Sequence, residues 1–291
     1  MGKPITRSNS QLLNKPSSTP QATAAVAASQ SSLPTSSCSK IPFRARKMRK
    51  IATSSFANKT TTISSPSSFS VGKPLSHKGE IDLALDHLRN SDPLLATLID
   101  THKSPTFDSH SPPFLSLAKS ILYQQLAPNA AKSIYTRFLT LCGGDLGVVP
   151  DNVVSLSAHQ LREIGISGRK ASYLHDLADK YRNGSLSDSS ILEMNDDVLL
   201  TSLTAVKGIG VWSVHMFMIF SLHRPDVLPV GDLGVRKGVQ SLYGLKELPQ
   251  PQQMEQVCEK WRPYRSVGSW YMWRLMEAKS LAKQAKKDKS L

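Results

Sequence analysis

No acidic side chain occurs before Glu80. Residues 1–79 hold twelve of the 36 Lys and Arg and none of the 22 Asp and Glu. The rest of the chain therefore carries 24 basic against 22 acidic side chains, a net of +2. The formal charge of +14 is mostly a property of the first 79 residues, not of a basic globular domain. Large apolar residues are also scarce there, among Ser, Thr, Pro and Ala. Such a composition cannot bury enough surface to offset its ordering entropy, and the segment reads as a disordered tail. Cysteine is equally scarce. Cys38, Cys142 and Cys258 are odd in number and far apart, which argues against a disulfide framework and against a zinc site. An intracellular, reducing compartment is the expectation, with no metal. No stretch is long and apolar enough to span a bilayer, so no membrane partner is expected. A convincing strand alternation is missing too, as is any repeat.

What is present, from Glu80 onward, is helical periodicity. Ile81, Leu85 and Leu88, then Leu94, Leu95 and Leu98, recur at three and four, with Ser91-Asp92-Pro93 marking a helix start. Pro105 to Pro113 reads as a loop, and Phe114 to Leu126 as a buried helix that Gln124 and Gln125 end. Pro128-Asn129 opens a helix over Ala130 to Leu141, and Cys142-Gly143-Gly144 stops it. Ser157 and Gln160 form a capping box for a short helix to Ile164, and Arg169 to Tyr181 forms another helix. Asn195 is placed to cap Asp196 to Thr204. Further helices are expected up to Tyr243, over Gln252 to Trp261, and from Val267 to about Lys286. The expected fold is all-α, two helical lobes with a cleft between them, spanning residues 80–286.

The stretch Leu203 to Gly238 is the most informative. A helical run ends at Val206, a turn carries Gly208 and Gly210, and an apolar helix begins at Val211. Gly-x-Gly between helices leaves backbone N–H groups bare at the positive end of the second helix, a site for an anion such as a phosphate. A bland helix–turn–helix fits the same pattern. Asp232 follows twenty residues after Trp212, in the turn-rich Pro229-Val230-Gly231-Asp232-Leu233-Gly234. Its conservative reading is a helix N-cap.

This combination resembles the helix-hairpin-helix, Gly/Pro-Asp superfamily of DNA glycosylases. Within it, the likeness is to the alkyladenine branch of bacterial DNA-3-methyladenine glycosylase II and its yeast relatives. Val206-Lys207-Gly208-Ile209-Gly210-Val211-Trp212 carries the resemblance, together with Asp226-Val227, Asp232-Leu233-Gly234, Trp261-Arg262-Pro263-Tyr264-Arg265-Ser266, and Ser120-Ile121-Leu122-Tyr123-Gln124-Gln125-Leu126. It covers roughly residues 80 to 280, without the bacterial enzyme's N-terminal β domain. The four-cysteine iron–sulfur cluster of some superfamily members is excluded by the cysteine count.

The resemblance implies a monofunctional glycosylase of base excision repair. Such an enzyme acts on DNA damage by flipping an alkylated base, chiefly 3-methyladenine, from double-stranded DNA and hydrolysing its N-glycosidic bond. Asp232 stands in the catalytic position, and Asp226 reads as structural. Trp212 and Tyr264 stand at stacking positions for a cationic base, with a core role as the alternative for Trp212. Leu126, beside Gln125, falls at the intercalating wedge, or else is an ordinary core leucine. Gly208 and Gly210 would grip a phosphate through their N–H groups, with Lys207, Arg236 and Lys237 adding DNA-binding contacts. A monovalent cation at the hairpin carbonyls is part of the family pattern, and a monomer is expected. A non-catalytic DNA-binding module is one rival reading, distinguished by Asp232. A bifunctional glycosylase/lyase is the other, and it would need a lysine nucleophile.

In the tail, Lys40 to Lys50 packs six basic groups into eleven residues. This run reads as a nuclear localisation signal or a phosphate patch. An organelle transit peptide and a plain solvated charge run are the alternatives. Met1-Gly2-Lys3-Pro4-Ile5-Thr6 fits the myristoylation pattern, a match common by chance.

Overall fold

A computed structural model describes residues 72–108 and 110–288. For residues 1–71 the expected disorder of the tail lies outside the described residues, as do the basic run from Lys40 to Lys50 and the myristoylation pattern. Among those described there are thirteen α-helices and no strand. Their packing separates them into two groups. Helices α1 (Glu80–Ser91) and α2 (Pro93–Thr101) pack with α11 (Leu233–Leu242), α12 (Pro251–Val257) and α13 (Arg265–Asp288). The other group comprises α3 (Pro113–Tyr123), α4 (Pro128–Cys142), α5 (Pro150–Ser155), α6 (Ala158–Glu163), α7 (Gly168–Arg182), α8 (Asp188–Glu193), α9 (Asp196–Thr204) and α10 (Val211–Phe220). The first and last segments of the fold thus build one lobe and the middle builds the other, over a continuous apolar core.

The caps read from sequence are in place. Asn195 accepts from the Val198 N–H at 2.9 Å, and Ser157 and Gln160 form their reciprocal box. Helix α3 ends at Tyr123, three residues before the expected Leu126, because Gln124 leaves the helical region at ψ 132 and Gln125 then adopts the left-handed region at φ 55. The short helices α5 and α8 were not expected. Each commits one apolar side chain to the core, Val153 and Ile191, and six residues give no readable period. The core also reaches back beyond the expected boundary at Glu80. Leu75 is 1% exposed, and its N–H donates to the His223 carbonyl at 2.8 Å.

Asp92 joins the two ends of the N- and C-terminal lobe. Its Oδ1 accepts from the Leu94 and Leu95 N–H groups at the start of α2. Its Oδ2 accepts from the Tyr243 hydroxyl, from Trp261 Nε1 at 2.9 Å and from Lys260 Nζ at 3.3 Å. Burial would raise this carboxyl, but the Tyr243 and Trp261 donors and the Lys260 charge outweigh it and hold the pKa below the ordinary value. A lowered folded pKa means the contribution is present above the unfolded value and lost as pH falls through the folded one. Asp92→Asn turns an N–H donor toward three existing donors. It should cost about 2 kcal/mol in urea unfolding at neutral pH, with a smaller difference from wild type in acid.

Candidate functional site

The hairpin between α9 and α10 is held from both sides. Val206 and Ile209 point into the core, so the turn residues between and after them face outward. Gly208 has φ 80, and a Cβ there would overlap the Tyr173 ring; glycine is required by conformation and by space. Its carbonyl accepts from Gln124 Nε2 at 2.8 Å. The Lys207 N–H donates to Asp176 Oδ2 at 2.9 Å, and Lys207 Nζ lies 3.1 Å from Asp176 Oδ1. Gly210 is the N-cap of α10 and supplies no side-chain acceptor. The first N–H groups of α10 are therefore open to an anion at an exposed turn.

From α10 the chain returns through a clamped loop. Arg265 Nε donates to Asp226 Oδ1 at 2.6 Å, and Arg262 Nη1 to Asp226 Oδ2 at 2.8 Å, so Asp226 is committed to structure. Buried Ser266 donates to the Arg224 carbonyl at 2.6 Å and accepts from the Val227 N–H at 2.9 Å. These bonds tie the loop to the start of α13 and deliver Asp232 to the N-terminus of α11.

Asp232 is an N-cap and more. Its Oδ1 accepts from the Val235 N–H at 2.8 Å and from Trp273 Nε1 at 3.0 Å; its Oδ2 accepts from Trp212 Nε1 at 2.7 Å. Three neutral donors fill three of about four acceptor directions on the carboxylate, which orients the group and leaves a direction toward the open side. No Lys or Arg pairs with Asp232 among the described residues. Gly234 makes room for this arrangement, because a Cβ there would lie 2.9 Å from Trp273 Cδ1. The carboxylate thus sits where the lobes meet, with Trp212 from α10 on one side and Trp273 from α13 on the other.

Trp212 is 52% exposed and Leu126 is 37% exposed, so neither is a core residue. Leu126 and exposed Gln125 stand in the turn between α3 and α4. Lys237 is exposed on α11, whereas Arg236 Nε donates to the Pro249 carbonyl at 2.9 Å. Tyr264 is not among the hydrogen-bond partners of Asp232. Its hydroxyl donates to Glu80 Oε1 at 2.9 Å, and burial together with Glu80 pushes its pKa up to about 12. Trp273, absent from the sequence reading, holds the place beside the carboxylate. The aromatic run Trp270-Tyr271-Met272-Trp273 was its only signal, and nothing in the spacing told which ring faces Asp232. Among the described residues no group of three or more His, Cys, Asp or Glu could hold a metal ion.

Residues 118–263 match the family described as HhH-GPD superfamily base excision DNA repair protein. The alkylbase DNA glycosidase-like protein mag2 of Schizosaccharomyces pombe is 28% identical over 205 residues, covering 69% of this chain and 96% of the relative. Among solved structures, a DNA-3-methyladenine glycosidase from Bacillus halodurans superposes with a TM-score of 0.61 at 34% identity, covering 66% of this chain and 88% of that one. The Schizosaccharomyces pombe 3-methyladenine DNA glycosylase Mag1, solved in complex with abasic DNA, gives 0.57 at 29% identity, covering 66% and 95%.

Proposed function

The chain belongs to the HhH-GPD superfamily of base excision DNA repair proteins, and we propose that it is a monofunctional DNA glycosylase, a hydrolase that removes alkylated purines of the 3-methyladenine type. The observation that carries this reading is the Asp232 carboxylate, held by two indole N–H groups where the lobes meet and unpaired with any cation among the described residues. A purine alkylated on the ring is cationic and already a good leaving group. As it departs, positive charge develops on the deoxyribose, and a fixed carboxylate stabilises that charge and orients the attacking water. The exposed face of Trp212 offers a π surface to the cationic base, and the Trp273 ring beside the carboxylate extends it.

The same geometry supports a reaction that stops at the abasic site. A lyase needs a neutral amine within reach of the sugar. Trp212 has no basic lone pair, the Lys207 ammonium is ion-paired with Asp176, and Lys237 lies on the exposed face of α11. Incubation with methylated DNA should release methylated purines, identified by chromatography, and nicks should appear only after alkali or an added endonuclease. Borohydride should trap no covalent protein–DNA adduct; a trapped complex that survives denaturation would reverse the assignment.

DNA is gripped, on this reading, by the open N–H groups after Gly208 and Gly210, by Lys237, and by a wedge at Leu126 and Gln125 that fills the space a flipped base leaves. The Val206 and Gly208 carbonyls each accept one hydrogen bond and retain a second lone pair, a donor set that suits a hard monovalent cation at the hairpin. The protein acts as a monomer in the nucleus, with the Lys40 to Lys50 run as address. A version lacking residues 1–71 should keep its single-turnover excision rate at saturating enzyme, while its DNA binding falls less steeply with salt. Those 71 residues fused to a fluorescent reporter separate nucleus from organelle.

A further inference from the structure

Lys170, Tyr173 and Asp176 recur at three-residue intervals and share one face of α7. Each holds a different segment of the DNA-facing surface. Lys170 Nζ donates to the carbonyls of Leu122 and Gln124 at 2.7 and 2.8 Å, which are orphan acceptors at the C-terminal end of α3. The Tyr173 ring packs on Gly208. Asp176 takes the Lys207 N–H and ammonium. Gln124 closes the circuit, since its Nε2 donates to the Gly208 carbonyl. We infer that this face of α7 sets the register between the Gln124–Leu126 turn and the phosphate-gripping hairpin, and that Lys170 is a positioning residue for base flipping.

The physical reason lies in the turn itself. Gln125 holds a left-handed φ of 55 without being glycine, a conformation that persists only where its surroundings determine it. The cation at the end of α3 supplies that constraint, because a positive charge is favoured where unpaired carbonyls converge. Half-buried, Lys170 commits its ammonium to two backbone carbonyls. Without it the turn relaxes, and the distance between the wedge and the bound phosphate is no longer set. A wedge matters most while a base pair must be opened and least where none exists.

This inference rests on the reading of Leu126 as the wedge, so the test includes that residue. Single-turnover release of 3-methyladenine is compared with the lesion paired to thymine and with the lesion in a single-nucleotide bulge. Lys170→Met should slow release about thirtyfold from the paired site and less than about threefold from the bulge. Gln124→Met, which cuts the tie to Gly208 and leaves α3 capped, should slow the paired site about fivefold with the bulge unchanged, and serves if Lys170→Met does not fold. Leu126→Ala should show the same paired-to-bulge contrast. Equal losses of the Lys170 and Gln124 variants on both substrates, with the contrast kept by Leu126→Ala, would overturn the positioning role alone. A Leu126→Ala variant without the contrast would overturn the wedge reading and the inference with it.

Discussion

Asp232→Asn should lower the single-turnover rate of base release by at least about a hundredfold, while affinity for an abasic-site analogue changes little. The substitution preserves shape. The amide oxygen can still accept from the Val235 N–H and Trp273 Nε1, so the cap of α11 and the seat of the side chain persist. What is lost is the charge, and the loss is felt only as the sugar becomes positive. Binding to a neutral abasic analogue depends on the hairpin and the wedge, which the change does not touch. At the Oδ2 position the amide nitrogen would face the Trp212 N–H, now 2.7 Å away, so that indole must turn and a small change in tryptophan fluorescence should accompany the variant. Excision near the wild-type rate would remove Asp232 from the chemistry and favour the reading of a DNA-binding module.

Gly208→Ala should weaken binding to an abasic-analogue duplex about fiftyfold, the sum of left-handed strain and a displaced hydrogen-bonded phosphate contact. Two separate defects meet here. At φ 80 any β-carbon is strained, and this one would overlap the Tyr173 ring. The ring cannot withdraw freely, because it lies between Lys170 and Asp176, both committed to partners. Tyr173→Ala combined with Gly208→Ala should therefore recover the steric share but not the backbone strain, leaving affinity between wild type and the single variant. Binding by Gly208→Ala equal to wild type would show that the hairpin does not grip DNA.

Much of the fold was legible because it rests on local signals. Asn195, and Ser157 with Gln160, cap the helices they were read to cap, and the periodic apolar faces of α1, α3 and α7 lie in the core. Asp232 as N-cap was equally legible, since the preference of a short acceptor for a helix start is a property of neighbouring residues. Of the three six-residue helices, α6 was legible from its capping box, while α5 and α8 escaped because six residues give no readable apolar period.

The sequence by itself determined most of the helices, their caps, the tight glycine turn and Asp232 as the cap that follows it, all set by interactions within a few residues. Tertiary structure alone decided which aromatic ring meets that acid. Trp273 lies 41 residues beyond Asp232 and reaches it only because α11 packs on α13 and Gly234 leaves the space. It likewise decided that Tyr264 bonds to Glu80, 184 residues away, and that Lys207 pairs with Asp176 on α7. Contacts across such separations depend on how whole helices pack, and packing is a property of the assembled core that no local spacing encodes.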